Sequence, residues 1–322
     1  MSKEHIAENT LEESSQHNEH GGDPIKELLN GLGDHHDLTV FNHVIAPLPI
    51  ILYDDGGLHF YSSVHSMEET GDYTMEHHHI VKKSDHSSPD LNLSITNLVF
   101  FEVVAAIFLI FIMSKVAGKY KKNPMKAPSG LQNIVESFVT FVRDDIVRAN
   151  IPRRETADRL TPYFLSIFFF IYVANMIGMI PGGHTPTGNF SVTLALAITA
   201  FFVINYTAIK DEGIGHYLAH LTAGTHWSLW ILIIPIEIMG MFIKPGVLAI
   251  RLFANMTAGH IIMFALIGVI FLYKTVIAGI PITAFVLFIY LIELLVAFLQ
   301  AFIFTMLTSI FVGLNLSHGE SH

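Results

Sequence analysis

The chain has 322 residues, 51% hydrophobic and only 14% charged, with a mean hydropathy of +0.49. Soluble domains carry about 25% charged residues, so this is not their make-up. The absence of cysteine excludes disulfides, zinc–thiolate sites and a cysteine nucleophile. The formal charge of −10 is concentrated in residues 1–90, where four Lys/Arg face seventeen Asp/Glu; the rest is mildly basic, and the acidity gives no support to nucleic-acid binding.

Two regions follow from this split: an acidic, His-rich N-terminal extension over 1–90 and a membrane domain over 91–322. No secretory signal peptide is visible, since Met1 to His20 lacks an apolar stretch. The polar composition of 1–37 predicts disorder. Ile51-Leu52-Tyr53, Asp54-Asp55-Gly56-Gly57 and Leu58-His59-Phe60-Tyr61 predict a short hairpin near 50–61 around an Asp/Gly turn. Residues 63–90 return to polar sequence. Twelve of the nineteen histidines lie in the extension, but their spacing fits no metal-ligand set.

The first predicted span is Ile95 to Met113, with Glu102 inside it and Lys115, Lys119, Lys121, Lys122 and Lys126 after it. Segment 115–159 holds ten Lys/Arg against five Asp/Glu. Basic loops stay cytoplasmic, which puts the acidic extension outside. Ser129 to Asn150 predicts an amphipathic helix on Leu131, Ile134, Phe138, Val142 and Ile146. It is too polar to span and fits a membrane surface or a partner.

Thr161 to Ile180 and Phe190 to Ile209 are the second and third spans. His216, His220 and His226 in the following loop read as interfacial polar groups. Trp227 to Tyr273 is apolar over a length that would run about 70 Å as one helix. The hydrocarbon core is about 30 Å thick, so this stretch is tilted, bent or divided, with Pro235 and Pro245 as bend points. Pro281 opens the last stretch, Ile282 to Leu314, after a short link from Thr275. The expected fold is an all-α membrane protein of five transmembrane helices. The last two are long, oblique and paired as a hairpin, and a surface amphipathic helix is added.

Polar residues inside these last helices carry the chemistry. Glu237, Lys244 and Arg251 are spaced by seven, which returns each to within about 20° of the last on a helix. Asn255 lies near the same stripe, and His260 falls on roughly the opposite face. Arg251 stays charged at any accessible pH, and a mid-membrane position costs about 2.5–3.5 kcal/mol on insertion scales. Glu237 is about 21 Å away along the helix, too far for a direct ion pair. Glu293 and Gln300 share a stripe on the last helix. His260 and Glu293 fall at similar counts from the link between the helices, which suits a coupled proton-sharing pair. Together these residues read as a proton path.

Arg251-Leu252-Phe253-Ala254-Asn255-Met256-Thr257-Ala258-Gly259-His260 closely resembles the core motif of subunit a of the F-type ATP synthase membrane sector. Glu237 and Lys244-Pro245 fall where that family has an acidic group and a Lys-Pro. Leu299-Gln300-Ala301-Phe302-Ile303-Phe304 resembles its last-helix motif, and Asn175-Met176-Ile177-Gly178-Met179-Ile180-Pro181 its Asn-containing segment. The resemblance covers about 95–316. It implies a stator against a rotating ring of c subunits, b-type peripheral stalk partners and two offset aqueous half-channels. It gives Arg251 the role of facing the ring carboxylate. Asn175, Asn255, His260, Glu293 and Gln300 would line the outer half-channel, and Glu237 and Lys244 the cytoplasmic one. It implies a bacterial inner membrane, the C-terminus in the cytoplasm, no cofactor and no enzymatic activity outside the complex. Some bacterial members carry Glu at the position of His260 and His at that of Glu293; this chain has the pair exchanged. No nucleotide-binding phosphate loop is present.

Two other readings stand beside this one. A proton-coupled secondary transporter predicts inverted repeats, which the chain lacks. A passive structural subunit leaves Arg251 without a function.

Overall fold

The computed structural model describes residues 36–40, 43–54, 56–76, 79–122, 127–179, 185–215, 217, 229–273 and 276–317. The chain divides into two units, one of residues 35–257 and 292–322, the other of residues 1–34 and 258–291.

Part of the extension folds into small sheets. Strands β1 (Asp37–Val40) and β2 (His43–Pro47) pair antiparallel. Strand β3 (Ile50–Asp54) lies between β4 (Gly57–Tyr61) and β7 (Leu91–Asn92). The turn between β3 and β4 uses Gly56 at φ 76°, a left-handed value that disfavours a side chain. Residues 63–92 are polar by sequence, yet they form helix α1 (Val64–Thr70), the β5 (Tyr73–Glu76) and β6 (His79–Lys82) pair, and β7. Ser63 and Ser66 cap α1 reciprocally, and Gly71 closes it in the left-handed region. A small core of Ile50, Leu52, Met67, Tyr73 and Ile80 holds these pieces together. Beside it, Lys82 Nζ lies 2.8 Å from the buried Asp54 carboxylate, and the Tyr73 hydroxyl donates to the same oxygen at 2.8 Å. The Lys82 hydrogen bond holds the Asp54 carboxyl below its usual range.

Among the described residues, five helices are long and apolar enough to cross a membrane. They are α2 (Asn97–Lys122), α4 (Arg154–Gly178), α5 (Phe190–Glu212), α6 (Trp230–Tyr273) and α7 (Val276–Ser317). Helix α6 runs unbroken through Pro235 and Pro245, so the stretch is not divided. Its 44 residues would measure about 66 Å if straight, roughly twice the hydrocarbon thickness. Helix α7 begins at Val276 and includes Pro281, which therefore does not open it. As the sixth residue of the helix, Pro281 removes the N–H that would reach the carbonyl of residue 277, so one bond of the helix is missing there. The link between α6 and α7 shrinks from the predicted Thr275–Pro281 to residues 274–275, outside the described residues.

The amphipathic segment is helical as α3 (Leu131–Thr140), then widens to a π-helix over Phe141–Val147 and ends in an α turn at Arg148–Asn150. Its apolar face, Val135, Val142, Ile146 and Val147, joins a core with Phe164 and Phe168 of α4, Leu248 and Leu252 of α6, and Phe304 and Val312 of α7. The segment is thus packed into the bundle. The π-widening coincides with Val142, Ile146 and Val147 all being buried. Charged groups collect at one end. Arg143 and Arg148 both bind Asp144, and Arg148 also binds Asp158. Arg159 and Thr156 at the start of α4 hold Asp211 at the end of α5, and Arg153 lies 3.7 Å from Glu212.

Candidate functional site

Because α6 is continuous, the seven-residue spacing of Glu237, Lys244 and Arg251 is kept in three dimensions. All three are half-buried. Their neighbours Leu248, Ala249 and Leu252 pack inward and anchor this part of the helix. Among the described residues, Arg251 makes no hydrogen bond or ion pair. Arginine stays charged at any accessible pH, and a charge at membrane depth faces the bundle interior, a water-filled cavity or a partner. Asn255, one turn on, is exposed.

Glu237 and Lys244 are brought together. They line one cavity with Asn205, Glu212, Tyr217 and Asn315, and it is large enough to hold water. The Lys244 ammonium sits 5.6 Å from the centre of the Phe311 ring. The Tyr217 hydroxyl donates to Asn205 Oδ1 at 2.6 Å and lies 3.3 Å from the sulfur of Met241. Burial pushes the Tyr217 phenol up. Sequence reasoning missed Asn205 and Tyr217. Asn205 carries a faint signal as a lone amide in an apolar helix; Tyr217 carries none.

A second group forms around Asn175, which is fully buried. Its Nδ2 donates to the carbonyl of Ala297 at 3.3 Å. Ala297 lies four residues after Glu293 and three before Gln300, so all three face the same side of α7 within two turns. Glu293 and Gln300 are both buried. The contact therefore brings Asn175 to the level of both. Asn175 Oδ1 accepts a hydrogen bond from Thr187, another buried residue that the sequence did not single out. Gly178, one turn after Asn175, lies so close to Thr185 that a Cβ there would overlap it. That close approach lets the chain after α4 return over Asn175. His260 is buried in the unit of residues 258–291. The loop histidines His216, His220 and His226 lie outside the described residues.

Comparison with known proteins adds a family. A family model described as "ATP synthase A chain" matches residues 99–313. A second, described only as a domain of unknown function, matches residues 28–98. "ATP synthase subunit a" of Chlorobium phaeobacteroides (strain BS1) is 50% identical, over 72% of this chain and 68% of its own. "ATP synthase subunit a 2" of Chlorobaculum tepidum is 45% identical, over 79% of this chain and 76% of its own. The Chloroherpeton thalassium protein of the same description as the first is 47% identical, over 72% and 69%.

Proposed function

The chain belongs to the ATP synthase A chain family, a multi-pass membrane family of ATP synthesis and proton transport, and from that premise we propose that it is the stator that couples proton flow to rotation of a c-subunit ring. Arg251 faces the ring carboxylate. The observation that carries this reading is the lack of any partner for its guanidinium among the described residues of its own chain. A neutral carboxyl crosses lipid cheaply and a carboxylate does not. Arg251 holds each arriving ring site deprotonated by ion pairing and repels a proton that would leak directly between the two half-channels.

Asn175, Asn255, His260, Glu293 and Gln300 serve the outer half-channel. Their support is the burial of Asn175, Glu293 and Gln300, and the contact of Asn175 with α7 between the other two. Glu237 and Lys244 serve the cytoplasmic half-channel, supported by the cavity they share. The field supplies about 2.3 kcal/mol per charge per 100 mV as each proton passes. The ring and b-type peripheral stalk subunits are the protein partners. The chain sits in a bacterial inner membrane with its acidic extension outside and its C-terminus in the cytoplasm. The extension's charge against the Lys/Arg-rich segment 115–159 supports that orientation. An impermeant thiol reagent applied from outside should label Glu69→Cys and spare Lys121→Cys; the reverse pattern overturns the orientation.

The chain has no cysteine of its own, so its contact with the ring can be tested cleanly. A Cys at Asn255, exposed one turn after Arg251, should form a disulfide with a Cys beside the ring carboxylate under mild oxidation. Cross-linking only to distant ring positions would reject the assignment.

A further inference from the structure

The β3–β4–β7 sheet has two unlike faces. Ile50, Leu52 and Asp54 point into the small core. On the other face, Tyr53 stands opposite Leu58 and Leu91, and Ile51 opposite Phe60. Leu58 and Phe60 are 66% and 65% exposed, and Leu93, just past β7, is 53% exposed. Among the described residues of the three strands no charged residue stands on this face, although it belongs to a segment with seventeen acidic groups. A soluble sheet normally turns polar residues to the water, and a contiguous apolar patch of this kind marks a contact.

Its position indicates which contact. The segment leaving β7 is hydrogen-bonded back to the sheet. Leu93 N donates to the carbonyl of Ile51 at 2.9 Å, Ile51 N to Ser94 Oγ at 3.2 Å, and Ile95 N to the carbonyl of Pro49 at 3.2 Å. Thr96 then opens the membrane helix α2, its carbonyl accepting from Phe100 N at 2.9 Å. From Leu93 to Asn97 the chain can reach at most about 14 Å. The sheet is therefore clamped beside the end of a membrane-spanning helix, within reach of the headgroup layer. Tyrosine and phenylalanine beside leucine suit that boundary, where one side is apolar and the other wet.

We propose that this sheet face docks on the membrane itself, at the headgroup–acyl boundary of the leaflet that α2 enters, with lipid of low net charge as its partner. The acidity of the surrounding segment disfavours anionic lipid. Docking fixes the extension against the bilayer and so sets how it hangs over the bundle.

The test uses the full chain in its complex, reconstituted in phosphatidylcholine vesicles. Single cysteines at Leu58, Phe60 and Leu91 carry an environment-sensitive fluorophore, and one at Glu69 on α1 is the control. Lipid spin-labelled near the headgroup end of its acyl chain should remove more than half the emission at all three sheet positions and leave Glu69 unchanged. Three positions on two strands keep a local defect at any one substitution from deciding the result. Emission untouched by the lipid quencher overturns the proposal in either form. Shielding from aqueous iodide as well would mean that a protein covers the face, and quenching by iodide would mean that water does. Neither outcome bears on the proton-path assignment, because no turnover is measured.

Discussion

Asn175 Oδ1 and Thr187 Oγ1 lie 2.5 Å apart, with both residues fully buried. The same amide reaches Ala297 on α7, so one side chain ties three parts of the bundle. Asn175→Leu leaves the buried Thr187 hydroxyl without its acceptor, at about 1–3 kcal/mol, while the Ala297 carbonyl keeps its bond within α7. The variant complex should inactivate at a lower temperature in detergent, and its proton flux in vesicles should fall. Asn175→Asp keeps the acceptor for Thr187 but sets a carboxyl against the Ala297 carbonyl, so it should recover stability only where that carboxyl is protonated, at lower pH. Equal heat resistance of Asn175→Leu and the parent contradicts this role.

Gly313 of α7 meets the carbonyl of Asn150 so closely that a Cβ would overlap it. Asn150 also donates to Ser309 Oγ, one turn earlier on α7, at 3.3 Å. Gly313→Ala should push the turn at Arg148–Asn150 off the last helix and cost about 1–3 kcal/mol, the usual scale of overpacking. Less subunit should be recovered in purified complex. Gly118→Ala, where a Cβ meets open space, should be neutral or stabilising by up to about 1 kcal/mol, which separates the contact from a general effect of alanine.

The hydrogen bond from Arg143 holds the Asp144 carboxyl down at about 2, from an ordinary 3.8. A carboxyl lowered in the folded state stabilises above its unfolded pKa, and that contribution disappears as pH falls through the folded value. Asp144→Asn should therefore melt below the parent at neutral pH. The difference should narrow as pH drops from 3.8 towards about 2. A gap that stays constant over that window means Asp144 contributes packing and not charge.

The long apolar runs made the five spans legible, because a helix in lipid must satisfy its own backbone. The fold between residues 63 and 92 was not legible. Its core rests on single residues, Met67, Tyr73 and Ile80, spread through polar sequence without a helical or strand period. Pro281 misled for a different reason: proline can mark a helix start or sit just inside one, and here α7 begins five residues earlier. At the candidate site, the Glu237, Lys244 and Arg251 stripe could be read from spacing alone. The meeting of Asn175 with Ala297 could not, since it joins residues 122 apart. Tyr217 likewise lines one cavity with Glu237, and nothing in its spacing along the sequence shows that.

Arg251 carries the central claim, and proton-driven ATP synthesis in vesicles holding matched amounts of assembled complex tests it most directly. Arg251→Ala should assemble and synthesise no ATP. Arg251→Lys should also fail or nearly fail, because a desolvated ammonium can shed its proton and a guanidinium cannot. Synthesis at the parent's rate by fully assembled Arg251→Ala complex would contradict the account, since the charge would then serve neither the ring carboxylate nor the barrier between the half-channels.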